Sequence, residues 1–296
     1  LFRQCHRGTL GDERQLADTA RQGSSGVVLR RQKGERDLHY AFVNYASMLS
    51  ADRVYFNSDY HRRDLFRALP RYLRHFPEFN ELSSVAGLHE KSQVLPPGID
   101  GSFLDMYRPA PSTEKGPLII WNHRWEFDKN PDEFFQALDA LLENGTAFRL
   151  ALLGENYQTI PKAFLSARER YGERIVQYGY VESRAEYIKW LKRGSIVIST
   201  ARQENFGIAV IEAVRYGCVP LLPARLAYPE IIPKRFHPQV LYREPGELTN
   251  RLSRLITNYA RFEKLRRDLS KEMSRFAWEN LIDRYDQELE KLAHLA

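Results

Sequence analysis

From Leu118 to the C-terminus the chain repeats one pattern: a short apolar run, a polar loop, then a stretch with apolar residues every three or four positions. The apolar runs predict strands at Leu118–Trp121, Phe148–Leu153, Ile175–Tyr178, Ser195–Ser199, Val219–Leu222 and Val240–Tyr242. Between them the spacing predicts helices over Pro131–Glu143, Pro161–Tyr171, Arg184–Arg193 and Gly207–Tyr216, then a helix from about Pro245 and a long helical tail. Strands separated by helices of roughly 10–15 residues cannot pair as hairpins, so they form a parallel sheet with helices on both faces. Such sheets bind ligands beyond the carboxyl ends of their strands.

The N-terminal part carries less of this pattern. Helices are predicted at about Arg36–Leu49, Tyr60–Phe76 and Glu81–Lys91, with short strands at Arg53–Asn57 and Gln93–Pro96 and a turn at Pro97-Gly98-Ile99-Asp100. Residues 107–117, with Pro109, Pro111, Gly116 and Pro117, have the composition of a linker. Residues 1–35 are polar and Arg-rich, and lack the ~7–15-residue apolar stretch of a signal peptide. The expected organisation is an irregular or non-native segment over 1–35, the remainder of a Rossmann-like domain over 36–112, and a complete one over 113–296. Two strands before residue 100 are too few for a doubly wound domain, so the chain is expected to be truncated or misread at its start.

A length of 296 residues suits two domains, and 43% hydrophobic with 12% aromatic residues supplies their cores and excludes disorder for most of the chain. No apolar run approaches the ~18 residues of a membrane-spanning helix. Lys+Arg 44 against Asp+Glu 38 gives a net charge of +6, compatible with an anionic partner such as nucleic acid or a phosphorylated ligand. Cys5 and Cys218 lie far apart, offering neither a disulfide framework nor paired metal-ligand spacing, as suits a reducing cytoplasm.

The most informative stretch is Thr200-Ala-Arg-Gln-Glu204-Asn205-Phe206-Gly207-Ile208-Ala209-Val210-Ile211-Glu212, which follows a strand and opens a helix. Backbone N–H groups near Phe206 to Ala209 would attract a phosphate through unpaired donors and the helix dipole. Glu204 and Glu212 lie up to about 12 Å apart along a helix axis, too far to share a proton but suited to the two ends of one long ligand. The alternative is an acidic helix start favoured by the dipole alone. A second loop, Trp121-Asn-His-Arg124-Trp-Glu-Phe-Asp-Lys129-Asn-Pro131, places Arg124 and Lys129 above the same sheet, where they would neutralise a diphosphate. The alternative there is a surface ion-pair cluster with Glu126 and Asp128. Gly154 and the Gly179-Tyr180-Val181 loop are candidates for base and ribose, or ordinary turns. His39, His61 and His123 are read as structural more readily than catalytic.

Together these residues resemble the retaining glycosyltransferases of the GT-B fold, family 4. Glu204 to Glu212 matches the E-x7-E motif, Arg124 and Lys129 match the diphosphate-binding pair, and Pro97-Gly-Ile-Asp100 resembles the domain-joining turn with Pro97 in place of Asn. Trp121–Pro131, Glu204–Ile208, Gly217–Pro223, Asp37–Asn44, Phe56–His61 and Tyr228–Pro233 are similar to one subgroup, the tRNA-queuosine α-mannosyltransferases. The resemblance covers about 34–296 and fails over 1–33, where the family's His-Glu-Asn-Gln element has no counterpart.

The resemblance implies two Rossmann-like doubly wound domains, the N-terminal one incomplete, and transfer of mannose from GDP-mannose to queuosine in a tRNA. It implies that Glu204 contacts sugar hydroxyls, that backbone groups of Asn205, Phe206, Gly207 and Ile208 hold the sugar and β-phosphate, and that Glu212 contacts ribose. Arg124 and Lys129 would stabilise the departing diphosphate, with no metal or other cofactor; the nucleotide sugar is a substrate. For tRNA, Arg67, Arg71 and Arg74 fall on one helical face, although Pro70 is expected to disturb that helix. Lys264, Arg266 and Arg267 are read as an ordinary charged face. Two other functions fit the sequence: a related glycosyltransferase with a lipid, glycan or small-molecule acceptor, and a non-catalytic donor-domain remnant.

Overall fold

The computed structural model describes residues 31–32, 35–36, 39–100, 116–155 and 160–294. Cys5, most of the 1–35 segment and most of the 107–117 linker lie outside the described residues. The chain divides into two compact units, Leu1–Pro96 with Asp283–Ala296, and Pro97–Ile282.

Two short strands, β1 Arg31–Gln32 and β2 Glu35–Arg36, pair antiparallel at the start of the described chain. The first unit then holds helices His39–Ser50, Asp59–Leu73 and Ser84–Glu90 against the parallel pair β3 Val54–Phe56 and β4 Ser92–Val94. Its core gathers Tyr45, Met48, Phe56, Leu65, Leu69, Tyr72, Leu73 and Leu88. Ser58 caps the helix Asp59–Leu73 by accepting the His61 N–H at 3.0 Å. Pro70 does not break that helix, contrary to expectation. It sits in the last turn, where only one N–H is forfeited, and the burial of Leu69, Tyr72 and Leu73 holds the turn in place.

The second unit is built on a six-stranded sheet: β5 Leu118–Trp121, β6 Arg149–Leu152, β7 Ile175–Tyr178, β8 Ile196–Ile198, β9 Val219–Pro223 and β10 Leu241–Tyr242. All its pairings are parallel, in the order β10-β9-β8-β5-β6-β7. Every residue of β5, β8 and β9 is buried, as central strands covered on both faces require. The helix Pro131–Glu143 starts with proline at its first position, has Asp132 and Glu133 in its first turn, and buries Phe134, Phe135, Leu138 and Leu141. Winding runs outward from β5 in one direction through β6 and β7, and from β8 in the other through β9 and β10. The point where the order reverses therefore lies between β5 and β8, and the crevice there is where a doubly wound sheet takes its ligand.

The C-terminal tail is not one long helix. It consists of Pro245–Thr257, Glu263–Met273 and Trp278–Ala293, separated by tight turns at Tyr259–Phe262 and Ser274–Phe276. The second turn is fixed by tertiary pairing: Ile99 N–H donates to Phe276 O at 2.8 Å and Trp278 N–H to Ile99 O at 3.0 Å. Gly98 is required there, because a Cβ would collide with the Trp278 ring. Two short helices, Tyr228–Ile231 and His237–Val240, were not signalled by periodicity.

Candidate active site

The loops after β5 and β8 meet at the switch point and are strapped together. Arg202 N–H donates to Asp128 O at 2.8 Å, and Thr200 Oγ1 lies 2.9 Å from the carbonyls of both Lys129 and Asn130. Asn130 adopts a left-handed conformation with φ 53° that turns the chain into the helix Pro131–Glu143.

This geometry delivers Lys129 to Glu204. The ammonium donates to Gln203 O at 2.9 Å and sits 3.3 Å from both Glu204 Oε2 and Asp128 Oδ2, with Lys129 buried. The other oxygen, Glu204 Oε1, accepts the N–H groups of Gly207 at 2.9 Å and Phe206 at 3.3 Å. Glu204 thus ties down the two residues that lead into the helix Ile208–Arg215. Burial alone would raise its carboxyl, but Lys129 foremost, with the Phe206 N–H, outweighs burial and holds it below the usual carboxylate range. Gly207, with φ 87°, occupies a backbone region that a side chain would strain.

The expected phosphate donors are redistributed by these bonds. The Phe206 and Gly207 N–H groups serve Glu204, whereas by helix geometry those of Ile208, Ala209 and Val210 have no partner within the helix. Arg124 does not join the Lys129–Glu204 pair. It is exposed and bound to Glu126 at 3.2 Å, while Lys129 pairs in a buried setting. His123 is buried with Nε2 3.3 Å from Ile198 O, and burial, reinforced by Lys129, lowers it to about 4. It is neutral at physiological pH and supports the site rather than lining it.

Glu212 lies in a different setting. Arg184 reaches Glu212 Oε1 at 2.5 Å, and the Tyr187 hydroxyl donates to Oε2 at 3.3 Å. Asn122 Nδ2 donates to the Tyr187 oxygen at 3.0 Å and to Ala209 O at 2.7 Å. Sequence reasoning missed Arg184, Tyr187 and Asn122, and no local motif marks them.

The remaining candidates divide. Gly154 is packed so tightly that a Cβ would strike the His123 carbonyl and the Trp125 ring, which accounts for this glycine through packing. Tyr180 is exposed and Val181 half-buried after β7, beside Gly179 with φ 105°. In the first unit, Arg67, Arg71 and Arg74 are all exposed, opposite the buried Leu65, Leu69 and Tyr72. Among the described residues no helix is long and apolar enough to cross a membrane.

Comparison with known proteins agrees with this architecture. Residues 106–275 match the family described as glycosyl transferases group 1, and residues 30–99 the one described as tRNA-queuosine alpha-mannosyltransferase N-terminal. A tRNA-queuosine alpha-mannosyltransferase of Drosophila melanogaster is 34% identical over 264 residues, 86% of this chain and 69% of that one. A GDP-mannose:cellobiosyl-diphosphopolyprenol alpha-mannosyltransferase of Xanthomonas oryzae is 23% identical over 66% of this chain and 52% of its own length. A sucrose-phosphate synthase from Thermosynechococcus elongatus shares the fold with a TM-score of 0.67 at 16% identity, over 90% of this chain and 65% of that one. Fold and sequence together define a glycosyltransferase of the GT-B class. The chain belongs to the group 1 glycosyl transferases and, within them, to the tRNA-queuosine alpha-mannosyltransferase family.

Proposed function

We propose that the chain carries the donor site of an enzyme that transfers mannose from GDP-mannose to queuosine in tRNA, in the cytoplasm and with retention of the α configuration. The observation that carries this reading is the Lys129–Glu204 pair, strapped at the switch point beside the start of the helix Ile208–Arg215. Two relatives support its finer parts: the fly protein is named for queuosine in tRNA, and the Xanthomonas protein for GDP-mannose.

In this reading the diphosphate lies over the helix start, where the Ile208 and Ala209 N–H groups and the helix dipole meet its charge. Arg124 turns from Glu126 to the phosphates. An exposed ion pair of this kind is worth no more than about 1 kcal/mol, so its exchange is inexpensive. Glu204 accepts from mannose hydroxyls, Glu212 from the ribose, and Tyr180 and Val181 flank the nucleotide. As the bond from the sugar to the diphosphate lengthens, the ring becomes oxocarbenium-like and negative charge grows on the leaving group, where Lys129 and Arg124 act. The charge is met by these groups, so no metal is assigned. Arg67, Arg71 and Arg74 face tRNA phosphates, an interaction that weakens with salt.

Transfer of labelled mannose from GDP-mannose to queuosine-containing tRNA, with tRNA lacking queuosine as the control, tests the reading. Labelling of the first alone, undiminished by EDTA, is expected. Equal labelling of both, or labelling only of lipid or glycan, contradicts the acceptor assignment.

A further inference from the structure

Glu212 carries a carboxylate on the second turn of its helix, mostly buried, with two side chains, Arg184 and Tyr187, converging on it and a third, Asn122, bonded to Tyr187 behind them. The direction of each hydrogen bond is fixed by chemistry. Ala209 O can only accept, so the Asn122 amide must present its nitrogen there. The same nitrogen gives its second hydrogen to the Tyr187 oxygen. The Tyr187 hydrogen is then free for Glu212 Oε2, and burial keeps that phenol protonated by raising it far above its ordinary range. Arg184 holds the other oxygen, Oε1. The chain of contacts begins and ends on one helix, at Ala209 and Glu212, and passes through the loop after β5 and the helix Arg184–Arg193. It therefore sets where Glu212 points relative to the crevice.

We infer that Asn122, Tyr187 and Arg184 are positioning residues that preset Glu212 to receive the two adjacent hydroxyls of a ribonucleoside diphosphate. The inference rests on the assignment of Glu212 to the donor ribose. A carboxylate offers about four lone-pair sites. Tyr187 and Arg184 take one on each oxygen, which leaves one on each for a pair of neighbouring hydroxyls. A 2'-deoxyribose supplies only one of them, so the arrangement discriminates ribose from deoxyribose. Loss of the Tyr187 hydroxyl leaves Glu212 charged and paired to Arg184 but free to rotate, so the discrimination shrinks while phosphate binding persists.

Calorimetric affinities for GDP, 2'-deoxy-GDP and pyrophosphate, measured on the unaltered chain, Tyr187→Phe, Glu212→Gln and the double variant, test this. The GDP to deoxy-GDP ratio is internal to each protein, so any loss of folded material cancels. Tyr187→Phe is expected to reduce the ratio about tenfold, the worth of one hydrogen bond to a charged group, with pyrophosphate binding unchanged. The same substitution on the Glu212→Gln background is expected to add nothing. If Glu212→Gln leaves the ratio intact, the ribose assignment itself falls, and the relay with it. If Glu212→Gln erases the ratio but Tyr187→Phe does not reduce it, the relay is overturned and the ribose assignment stands.

Discussion

Two glutamates flank one helix and are held by opposite means. Glu204 is bound by backbone N–H groups two and three residues away and by a buried ammonium whose loop is strapped to its own. Glu212 is bound by side chains alone, one of them, Arg184, largely exposed. The first arrangement is tightly held because moving Glu204 would release the Phe206 and Gly207 N–H groups and break its pair with Lys129. The second depends on side chains from another helix and another loop, so single substitutions there can loosen Glu212 without disturbing a helix start. The proposed chemistry end and the proposed recognition end thus differ in what holds them, although the residue type is the same.

The largest break in this comparison comes from Lys129→Ala, which leaves Glu204 and Asp128 without their cation. Removing one partner of a buried pair costs about 3–4 kcal/mol, read as a lower urea midpoint, with mannose transfer lost as well. Next is Gly154→Ala, whose added methyl presses on His123 O and Trp125 behind the same loop; a loss of about 2–3 kcal/mol is expected in the same assay. Gly207→Ala strains a residue at φ 87° and should cost about 1–2 kcal/mol.

Acid sharpens the contrast, because the Glu204 end contains a buried histidine. His123 and, in the other unit, His61 are both lowered from 6.5 to about 4 by burial. Above 6.5 folded and unfolded chains are alike in holding these rings neutral. As pH falls from 6.5 toward 4, the unfolded chain takes up protons that the folded chain refuses, so stability drops by about 1.4 kcal/mol per unit for each ring. Denaturant midpoints between pH 7 and pH 5 should decline accordingly, and His61→Leu should flatten the decline by about half. The smallest effect is Arg184→Ala at the other end. Its guanidinium is partly screened by solvent although Glu212 is mostly buried, so a loss of about 1 kcal/mol in the urea assay is expected, no more than for Gly207→Ala.

What could be read from the chain follows the same division. The helix Pro131–Glu143 and the strand Leu118–Trp121 were predictable to the residue, since apolar spacing, a first-turn proline and a run of buried residues all act locally. Glu204, Gly207 and Lys129 were legible because the first two lie in one short motif and the third in a loop ending a strand. Asn122, Tyr187 and Arg184 were not: their contacts to this helix span 87, 25 and 28 residues, and no spacing rule joins them. The bonds from the Phe206 and Gly207 N–H groups to Glu204 were missed for a related reason, because a carboxylate and a phosphate compete for the same N–H groups and sequence does not rank them. The break in the long helical tail expected after the helix from about Pro245 was not legible, because the turn at Ser274–Phe276 is imposed by Ile99, far away in sequence.

The division of labour is tested most directly by calorimetric binding of GDP-mannose and GDP to Glu204→Gln and Glu212→Gln. The account predicts that Glu204→Gln removes the preference for GDP-mannose over GDP while leaving GDP affinity nearly unchanged, and that Glu212→Gln weakens both ligands by the same factor. The reverse pattern, with the sugar preference lost in Glu212→Gln and GDP affinity lost in Glu204→Gln, would contradict it.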